Sequence, residues 1–198
     1  MSGDGPAVQR RRRAAVDSDW TVLHQVHGPR VVVVDQPGGS TGESADAAVT
    51  AKPGAALAVL TADCAPIGLA SPEGVLGVVH AGWTGLRAGV VESAVTTMRR
   101  LGATRIEAVL GPCIHPCCYT FGDEELQDMT ARYGQSVRAR DRYGSPALDL
   151  PAAVHVALHN AGARLVGDVG SCTGCSGRYW SWRRSSTTRR QATVVWRP

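Results

Sequence analysis

The segment from residue 60 to residue 85 restricts the fold of this chain more than any other feature. It reads LTADCAPIGLASPEGVLGVVHAGWTG, and its apolar runs at residues 67–70 and 75–79 flank a Ser-Pro-Glu-Gly turn signal. This pattern predicts a β-hairpin. A helical pattern begins directly after it, so the hairpin is expected to feed a helix that packs on the same sheet.

The hairpin carries two reactive side chains, Cys64 and His80, one at each open end. Symmetric pairing about the turn places Ala65 opposite His80 and Ala81 opposite Cys64. Cross-strand neighbours lie about 5 Å apart at Cβ. We therefore expect Cys64 and His80 to lie close enough to share a metal ion or a proton.

Short apolar runs and helical patterns alternate along the rest of the chain. They predict strands at residues 20–26, 30–35, 45–50, 55–61, 106–110, 165–169 and 191–196. Helices are predicted from Thr84 as N-cap to a stop at Gly102, and over residues 123–133 and 152–160. Strands mixed with helices, several of them in hairpins, indicate an α/β fold: a single-domain, mixed-sheet sandwich with flanking helices.

Length and composition fit one soluble domain. The 198 residues, 43% hydrophobic and 19% charged, can bury a core without disulfides. We interpret residues 1–17 as a polar lead-in and residues 18–198 as the folded domain. No segment has the pattern of a membrane span or signal peptide, so we expect a cytoplasmic protein with free or metal-bound cysteines.

The net charge of +4 is mild, and the arginine run at residues 10–13 has no aromatic platform beside it. We therefore expect the run to be a solvated terminus and predict no specific nucleic-acid binding. Nothing in the sequence indicates an oligomeric state.

His27 lies at a break between two predicted strands and joins Cys64 and His80 as a third candidate site residue. Catalytic zinc sites commonly take three His, Cys or carboxylate ligands and leave a fourth position open. The same residues also allow a Cys-His nucleophile pair, or merely buried structural side chains. Asp63 and Asp46 are candidates for proton transfer or for orienting a histidine, or for ordinary turn chemistry.

A second cysteine set comprises Cys113, Cys117 and Cys118 in a CxxxCC spacing, and Cys172 and Cys175 in a CxxC spacing. These spacings allow a structural zinc site. Because the two halves are far apart in sequence, our preferred interpretation is buried or pocket-lining thiols.

Six short motifs occur in a characteristic order. They are Gln25-Val26-His27-Gly28, Ala45-Asp46-Ala47, Thr61-Ala62-Asp63-Cys64, His80-Ala81-Gly82-Trp83, Leu110-Gly111-Pro112-Cys113-Ile114 and Cys172-Thr173. In this order, from residue 20 to residue 196, the chain resembles the YfiH/laccase-domain family, also called the multicopper polyphenol oxidase or purine nucleoside phosphorylase family. The resemblance implies a fold similar to the catalytic domain of cytotoxic necrotising factor, a cysteine-dependent toxin. It also implies a zinc site with His27, Cys64 and His80 as ligands.

The resemblance further implies activity on purine nucleosides: phosphorolysis of adenosine, inosine, guanosine or methylthioadenosine, and deamination of adenosine. The older label of polyphenol oxidase fits poorly, because multicopper oxidases need many histidines and this chain has six. Copper in a single His/Cys site is the second choice of metal. Candidate phosphate-binding residues are Arg183, Arg184 and Arg190, of which we favour Arg183 and Arg190. Asp63 and Cys113 are candidate catalytic residues.

Three departures from the family pattern bear on activity. The family usually has a longer segment before the Gln25 motif, with a Gly-rich stretch and an arginine; it usually has Arg or Lys where this chain has Thr84; and its TGR pattern appears here as Thr188-Arg189-Arg190. Two rival hypotheses therefore accompany the nucleoside enzyme. One is a cysteine hydrolase with Cys64 as nucleophile and His80 as base, and the other is a truncated, non-catalytic family member.

Overall fold

The computed structural model describes residues 5–198 and contains eleven strands and six α-helices within that range. The strands are β1 (Trp20–Val22), β2 (Val31–Val33), β3 (Ala47–Thr50), β4 (Ala56–Thr61), β5 (Ala65–Ala70), β6 (Leu76–Ala81), β7 (Glu107–Leu110), β8 (Arg138–Arg140), β9 (Pro146–Leu148), β10 (Arg164–Asp168) and β11 (Gln191–Val195). The helices are α1 (Pro6–Ala15), α2 (Trp83–Ala88), α3 (Val90–Arg100), α4 (Asp123–Tyr133), α5 (Leu150–Ala161) and α6 (Trp182–Ser185).

Two sheets form the body of the molecule. The larger has the strand order β10-β7-β5-β6-β3-β2, and the smaller has the order β1-β4-β11. Each sheet mixes parallel and antiparallel pairs: β10 is parallel to β7 and β2 to β3, whereas the β5-β6 hairpin is antiparallel. A separate ribbon pairs β8 with β9. This mixed α/β architecture confirms the predicted fold class.

The larger sheet has a core on each face, because alternate residues of its central strands point in opposite directions. From β6, Val79 joins the helices α3 and α5 in one core. Its neighbour Val78 joins Leu57 and Val59 of the smaller sheet in the other core. All six residues of β6 are buried, and each fully buried Val or Leu contributes about 1.5–3 kcal/mol of transfer free energy. The open end of the β5-β6 hairpin therefore lies at the seam between the two sheets.

The predicted hairpin register is wrong by one residue. The structure pairs Ala65 with Ala81, and Pro66 with His80. The cause is the turn, where Gly74 adopts φ +82° and its N–H bonds to the Ser71 carbonyl. A left-handed residue after such a turn lengthens the loop to three residues. Because Cys64 precedes Pro66 by two positions, the shift brings Cys64 to the sheet face that carries His80.

The helix after the hairpin also differs from the prediction. Gly82 is the N-cap, and Gly89, at φ +88°, divides the predicted helix into α2 and α3. The Thr84 hydroxyl does not cap the helix but donates to the carbonyl of His27 at 3.2 Å. A side chain placed like an N-cap in the sequence is thus used in a tertiary contact.

Other elements vary in how well they were predicted. The bounds of α4 match the prediction at both ends, whereas α6, β8 and β9 were not predicted. The helix α1 lies inside the predicted lead-in, and none of its residues is buried; the boundary at residue 17 stays a prediction. Across the part of the chain that the structure describes, no helix is both long enough and apolar enough to cross a bilayer.

Candidate active site

His27, Cys64 and His80 meet at the open end of the hairpin. Cys64 directly precedes β5, His80 is the penultimate residue of β6, and His27 comes from the loop between β1 and β2. One donor atom from each residue lies within 4.8 Å of the other two. The Cys64 Sγ and His27 Nε2 atoms are 3.7 Å apart, and the two imidazole rings are edge-to-face with centroids 4.7 Å apart.

A single buried carboxylate, that of Asp46, positions both histidines. Its Oδ1 lies 2.7 Å from His80 Nδ1 and accepts the backbone N–H of His27 at 2.9 Å. Its Oδ2 accepts the N–H groups of Val26 and Gly28 at 3.1 and 2.8 Å. A carboxylate only accepts, so Nδ1 of His80 carries a proton, and Nε2 offers a lone pair whenever the ring is neutral. A carboxylate behind a histidine is the usual support of a metal ligand.

The loop that carries His27 is held in a strained conformation. His27 has φ +59°, in the left-handed region that non-glycine residues seldom occupy. Such a residue costs on the order of 1–3 kcal/mol and persists where its surroundings fix it. The bonds from Asp46 and Thr84 provide that constraint.

Gly82 completes the close packing of the three side chains. A Cβ at this position would lie 2.8 Å from Cδ2 of His27 and 3.2 Å from Sγ of Cys64. Real Cβ contacts are not this short, so the backbone approaches the site only because residue 82 is glycine. The close packing thus explains why the motif His80-Ala81-Gly82-Trp83 has a glycine at its third position.

The surroundings shift the ionisation of the site. Burial alone would raise the pKa of the Cys64 thiol, but hydrogen bonds with His27 and His80 outweigh it and lower the pKa to about 6. Burial alone would lower the pKa of His80, but hydrogen bonds with Asp46 and Cys64 raise it to about 9. In the metal-free site, Cys64 is therefore a thiolate and His80 an imidazolium near neutral pH. A thiolate is the form that binds a metal or attacks an electrophile.

The three donors open onto a cavity of about 430 Å³, within the range of small-molecule pockets. Its wall opposite the sheets comes from the C-terminal segment and the loop after β7. The lining residues include Gln25, Trp83, Tyr119, Trp182, Arg183, Thr187, Thr188 and Arg190. Aromatic rings and guanidinium groups therefore face the three donors across the cavity.

The structure separates the three candidate arginines. Arg183 and Arg190 line the cavity, and the Arg183 guanidinium lies over the Tyr119 ring at 5.3 Å from its centroid. The Arg184 guanidinium donates to three backbone carbonyls, those of Thr173, Ser176 and Tyr179. Arg184 thus fastens the C-terminal segment, which leaves Arg183 and Arg190 as the cationic groups that face the pocket.

Asp63 and Cys113 have contrasting surroundings. Asp63 lines the cavity, but its Oδ1 accepts the Thr173 hydroxyl at 2.6 Å and its Oδ2 accepts the Arg183 N–H at 2.7 Å. It adopts φ +102°. Cys113 is 1% exposed within the helix-side core, where burial raises the pKa of its thiol. Their catalytic roles stay predictions, and both carboxylate oxygens of Asp63 already hold the pocket wall.

Two contributors were not predicted from the sequence. Gln25 pairs with Leu60 through two bonds of 2.8 Å, donating to its carbonyl and accepting its N–H, so it ties the His27 loop to the end of β4. Tyr119 lines the cavity and stacks edge-to-face on Phe121. Both residues stand within or beside motifs already noted, but only tertiary contacts reveal their roles.

The comparison with protein families gives one match. A family model described as multi-copper polyphenol oxidoreductase laccase matches residues 4–198. This range covers nearly the whole chain, and all the residues of the site fall within it.

Two relatives from Streptomyces are both named purine nucleoside phosphorylase. A Streptomyces griseus protein named purine nucleoside phosphorylase ORF3 is 43% identical, over 98% of this chain and 83% of its own length. Purine nucleoside phosphorylase SCO2081 of Streptomyces coelicolor is 44% identical over 98% of this chain and 84% of its own length.

Two solved structures share the fold of this chain. The crystal structure of Bacillus licheniformis hypothetical protein YfiH superposes with a TM-score of 0.84 at 26% identity, covering 96% of this chain and 79% of that one. YlmD from Geobacillus stearothermophilus gives a TM-score of 0.82 at 28% identity, with the same coverage of each chain.

Proposed function

Because the chain belongs to the family described as multi-copper polyphenol oxidoreductase laccase, we propose that it is a zinc-dependent enzyme of purine nucleosides. The observation that carries the proposal is the convergence of His27, Cys64 and His80 on one cavity. The names of the relatives supply the substrate class. The substrates we propose are adenosine, inosine, guanosine and methylthioadenosine with phosphate, together with deamination of adenosine.

The three donors suit zinc. Zinc–nitrogen bonds of about 2.0–2.1 Å and zinc–sulfur bonds of about 2.3 Å, at a tetrahedral angle, separate N and S by about 3.6 Å. The Cys64 Sγ to His27 Nε2 distance is 3.7 Å. Zinc bound there would supply Lewis-acid chemistry and promote ionisation of water near neutral pH.

The other pocket residues account for binding. Tyr119 and Trp182 offer aromatic faces to a purine, and Arg183 and Arg190 offer guanidinium groups to phosphate. In phosphorolysis, a phosphate oxygen attacks C1′ of the ribose, the bond to N9 breaks, and the purine leaves with that electron pair and gains a proton. The arginines would hold phosphate in line with that bond.

The family description as a polyphenol oxidoreductase supports a different metal. Two histidines and one cysteine also match the ligands of mononuclear copper sites. A multicopper centre needs more histidines, and within residues 5–198 only His27 and His80 of the six belong to a group of three or more possible metal ligands. Zinc therefore remains our proposed cofactor and copper the second choice.

Product analysis tests the function. Zinc-loaded protein incubated with adenosine and phosphate should give adenine and ribose 1-phosphate, and any deamination should give inosine and ammonia. Cys64→Ala should abolish both products.

Arg190→Gln should raise the KM for phosphate about tenfold or more, whereas the control Arg189→Gln should not, since the Arg189 guanidinium lies over Trp180, outside the cavity lining. Absence of product at every zinc loading would contradict the proposal and favour a non-catalytic family member.

One observation favours a second function, that of a cysteine hydrolase. The Cys64 thiol has its pKa lowered to about 6 and lies beside two histidines, as an activated nucleophile would. Metal analysis separates the two functions. About one zinc ion bound in the pocket, and lost in Cys64→Ala, supports the nucleoside enzyme. Metal-free protein that iodoacetamide labels at Cys64, and that turns over an ester or amide, supports the hydrolase.

A further inference from the structure

Four cysteines outside the pocket converge at one point. Cys117 and Cys118 end a short helical turn after β7, and Cys172 and Cys175 lie in the loop after β10. The Sγ atoms of all four lie within 4.8 Å of one another. Cys113, the remaining member of the sequence set, is not in this group: it is buried in the helix-side core, and only its backbone pairs with that of Cys172. The fold has therefore joined the CC and CxxC halves that the sequence separates.

The sulfur distances match a single tetrahedral metal ion. Cys175 Sγ lies 3.4 Å from both Cys117 Sγ and Cys118 Sγ, and Cys117 Sγ lies 3.7 Å from Cys172 Sγ and 3.9 Å from Cys118 Sγ. Zinc–sulfur bonds of about 2.3 Å at tetrahedral angles separate sulfurs by about 3.8 Å. A disulfide would need about 2.05 Å, and an iron–sulfur cluster would hold its cysteines farther apart. We propose that Cys117, Cys118, Cys172 and Cys175 bind a structural zinc ion, separate from the pocket.

One guanidinium group and one backbone N–H point towards the four sulfurs. The Arg142 guanidinium contacts Cys118 Sγ and lies 3.3 Å from Cys175 Sγ. Its Nε donates to the Cys117 carbonyl at 2.9 Å, and the His115 N–H points to Cys172 Sγ at 3.4 Å. Four thiolates and one Zn²⁺ carry a net charge of about −2. A guanidinium and an N–H directed at the sulfurs offset that charge, as supporting groups do at metal centres.

The CxxC loop is shaped for this arrangement. A Cβ at Gly174 would lie 2.6 Å from Cβ and 2.8 Å from Sγ of Cys118, so only glycine lets the two loops close on each other. The Ser176 N–H bonds to the Cys172 carbonyl at 2.9 Å and closes the turn around the cysteines. Cys117, Cys118 and Cys172 are half-buried and Cys175 is exposed, which gives an ion a path from solvent.

The four-cysteine site borders the active-site cavity. Thr173, between Cys172 and Cys175, donates its hydroxyl to Asp63, and Tyr119, directly after Cys118, lines the cavity. Arg184 bonds to the Thr173 carbonyl, and the N–H of Arg183 bonds to Asp63. Zinc in the four-cysteine site would therefore fix the loop after β7, which lines the pocket, to the CxxC loop, which supports the C-terminal segment through Arg184.

Metal stoichiometry tests this second site independently of any enzymatic activity. Wild-type protein, purified under reducing conditions and dialysed against zinc, should contain two zinc ions per chain. Cys64→Ala should contain one, Cys175→Ser one, and the double variant none. The control Cys113→Ala, which removes a buried thiol outside both groups, should keep two. One zinc in the wild type and none in Cys64→Ala would overturn the proposal.

Cobalt substitution identifies the ligands without changing any of the four proposed cysteines. In Cys64→Ala loaded with Co²⁺, a four-thiolate site should give intense thiolate-to-cobalt charge-transfer absorption and tetrahedral d–d bands, while the pocket contributes none. A weak octahedral spectrum would overturn the assignment. So would bound iron in the purified protein, or a mass deficit of 2 or 4 Da that shows disulfides under reducing conditions. These readouts do not depend on the pocket metal or on substrate, so the second site and the proposed function can fail separately.

Discussion

Asp46 is the residue on which the candidate site most depends, because one carboxylate holds His80 and the backbone of the His27 loop together. Its environment explains its charge. Burial would raise the pKa of the Asp46 carboxyl, but hydrogen bonds with His80 and with the backbone N–H groups outweigh it and lower the pKa. The sequence offered Asp46 only as one of two carboxylates near the site, since nothing in its spacing showed which histidine it would reach.

Asp46→Asn should lower the affinity of the pocket for the proposed zinc ion about 10–100-fold, the usual cost of losing a group that orients a metal ligand. In either orientation the amide NH2 group would face two N–H donors that lose their acceptor, those of Val26 and Gly28 or those of His27 and His80, so the free energy of unfolding should fall by about 3 kcal/mol. Chelator competition and urea unfolding measure the two effects. Asp35→Asn, at an exposed position, is the control, and equal metal affinity in both variants would contradict the role of Asp46.

The pKa values of Cys64 and His80 predict a pH profile for alkylation of the metal-free protein. Because the folded Cys64 pKa is about 6 rather than 9.0, the thiolate should persist through neutral pH and be lost as the pH falls through about 6. Iodoacetamide labelling of the peptide that contains Cys64, quantified by mass spectrometry, should follow that curve. In urea the midpoint should move up to the ordinary thiol range. A midpoint near 9 in the folded protein would show that the histidines do not stabilise the thiolate.

At the scale of elements, the junction between β6 and α2 sets the approach of the backbone to the site. Gly82→Ala should push the new methyl group into His27 and Cys64 and lower the affinity for the pocket metal by about tenfold or more. The four-cysteine site should stay loaded. Gly177→Ala is the matched control, because a Cβ there meets nothing within 4 Å. Unchanged zinc content and affinity in Gly82→Ala would contradict this steric account.

The elements show why sequence patterns reached the fold class and the three donors but not the register. Apolar runs located the six strands of the first half, and the signal is most continuous where a strand is buried on both faces, as in β3, β4 and β6. The one-residue shift of the hairpin depends on the left-handed turn at Gly74, and the division of the long helix depends on Gly89. A glycine allows the left-handed conformation at both positions, but its presence in the sequence does not show that the backbone adopts it. Residues that contact across elements, such as Gln25 with Leu60, leave no periodic signal at all.

At the scale of the molecule, the C-terminal segment closes the pocket and is fastened by Asp63, Arg184 and the proposed four-cysteine zinc. Removing that zinc should loosen the segment, so trypsin should cut after Arg178 several-fold faster in Cys175→Ser than in the wild type. Cleavage after Arg105, an exposed arginine just before β7, should not change. Mass spectrometry of the fragments measures both rates, and equal cleavage after Arg178 in both proteins would argue against the fastening role.

The division of the pocket between early and late parts of the chain has a consequence for biosynthesis. His27, Cys64 and His80 leave the ribosome together with the hairpin, whereas Arg183, Arg190 and the CxxC loop emerge much later. The smaller sheet is incomplete until β11 pairs with β4. A nascent chain therefore presents its three donor side chains long before it has a wall to receive a substrate, and translation of residues 172–195 adds that wall.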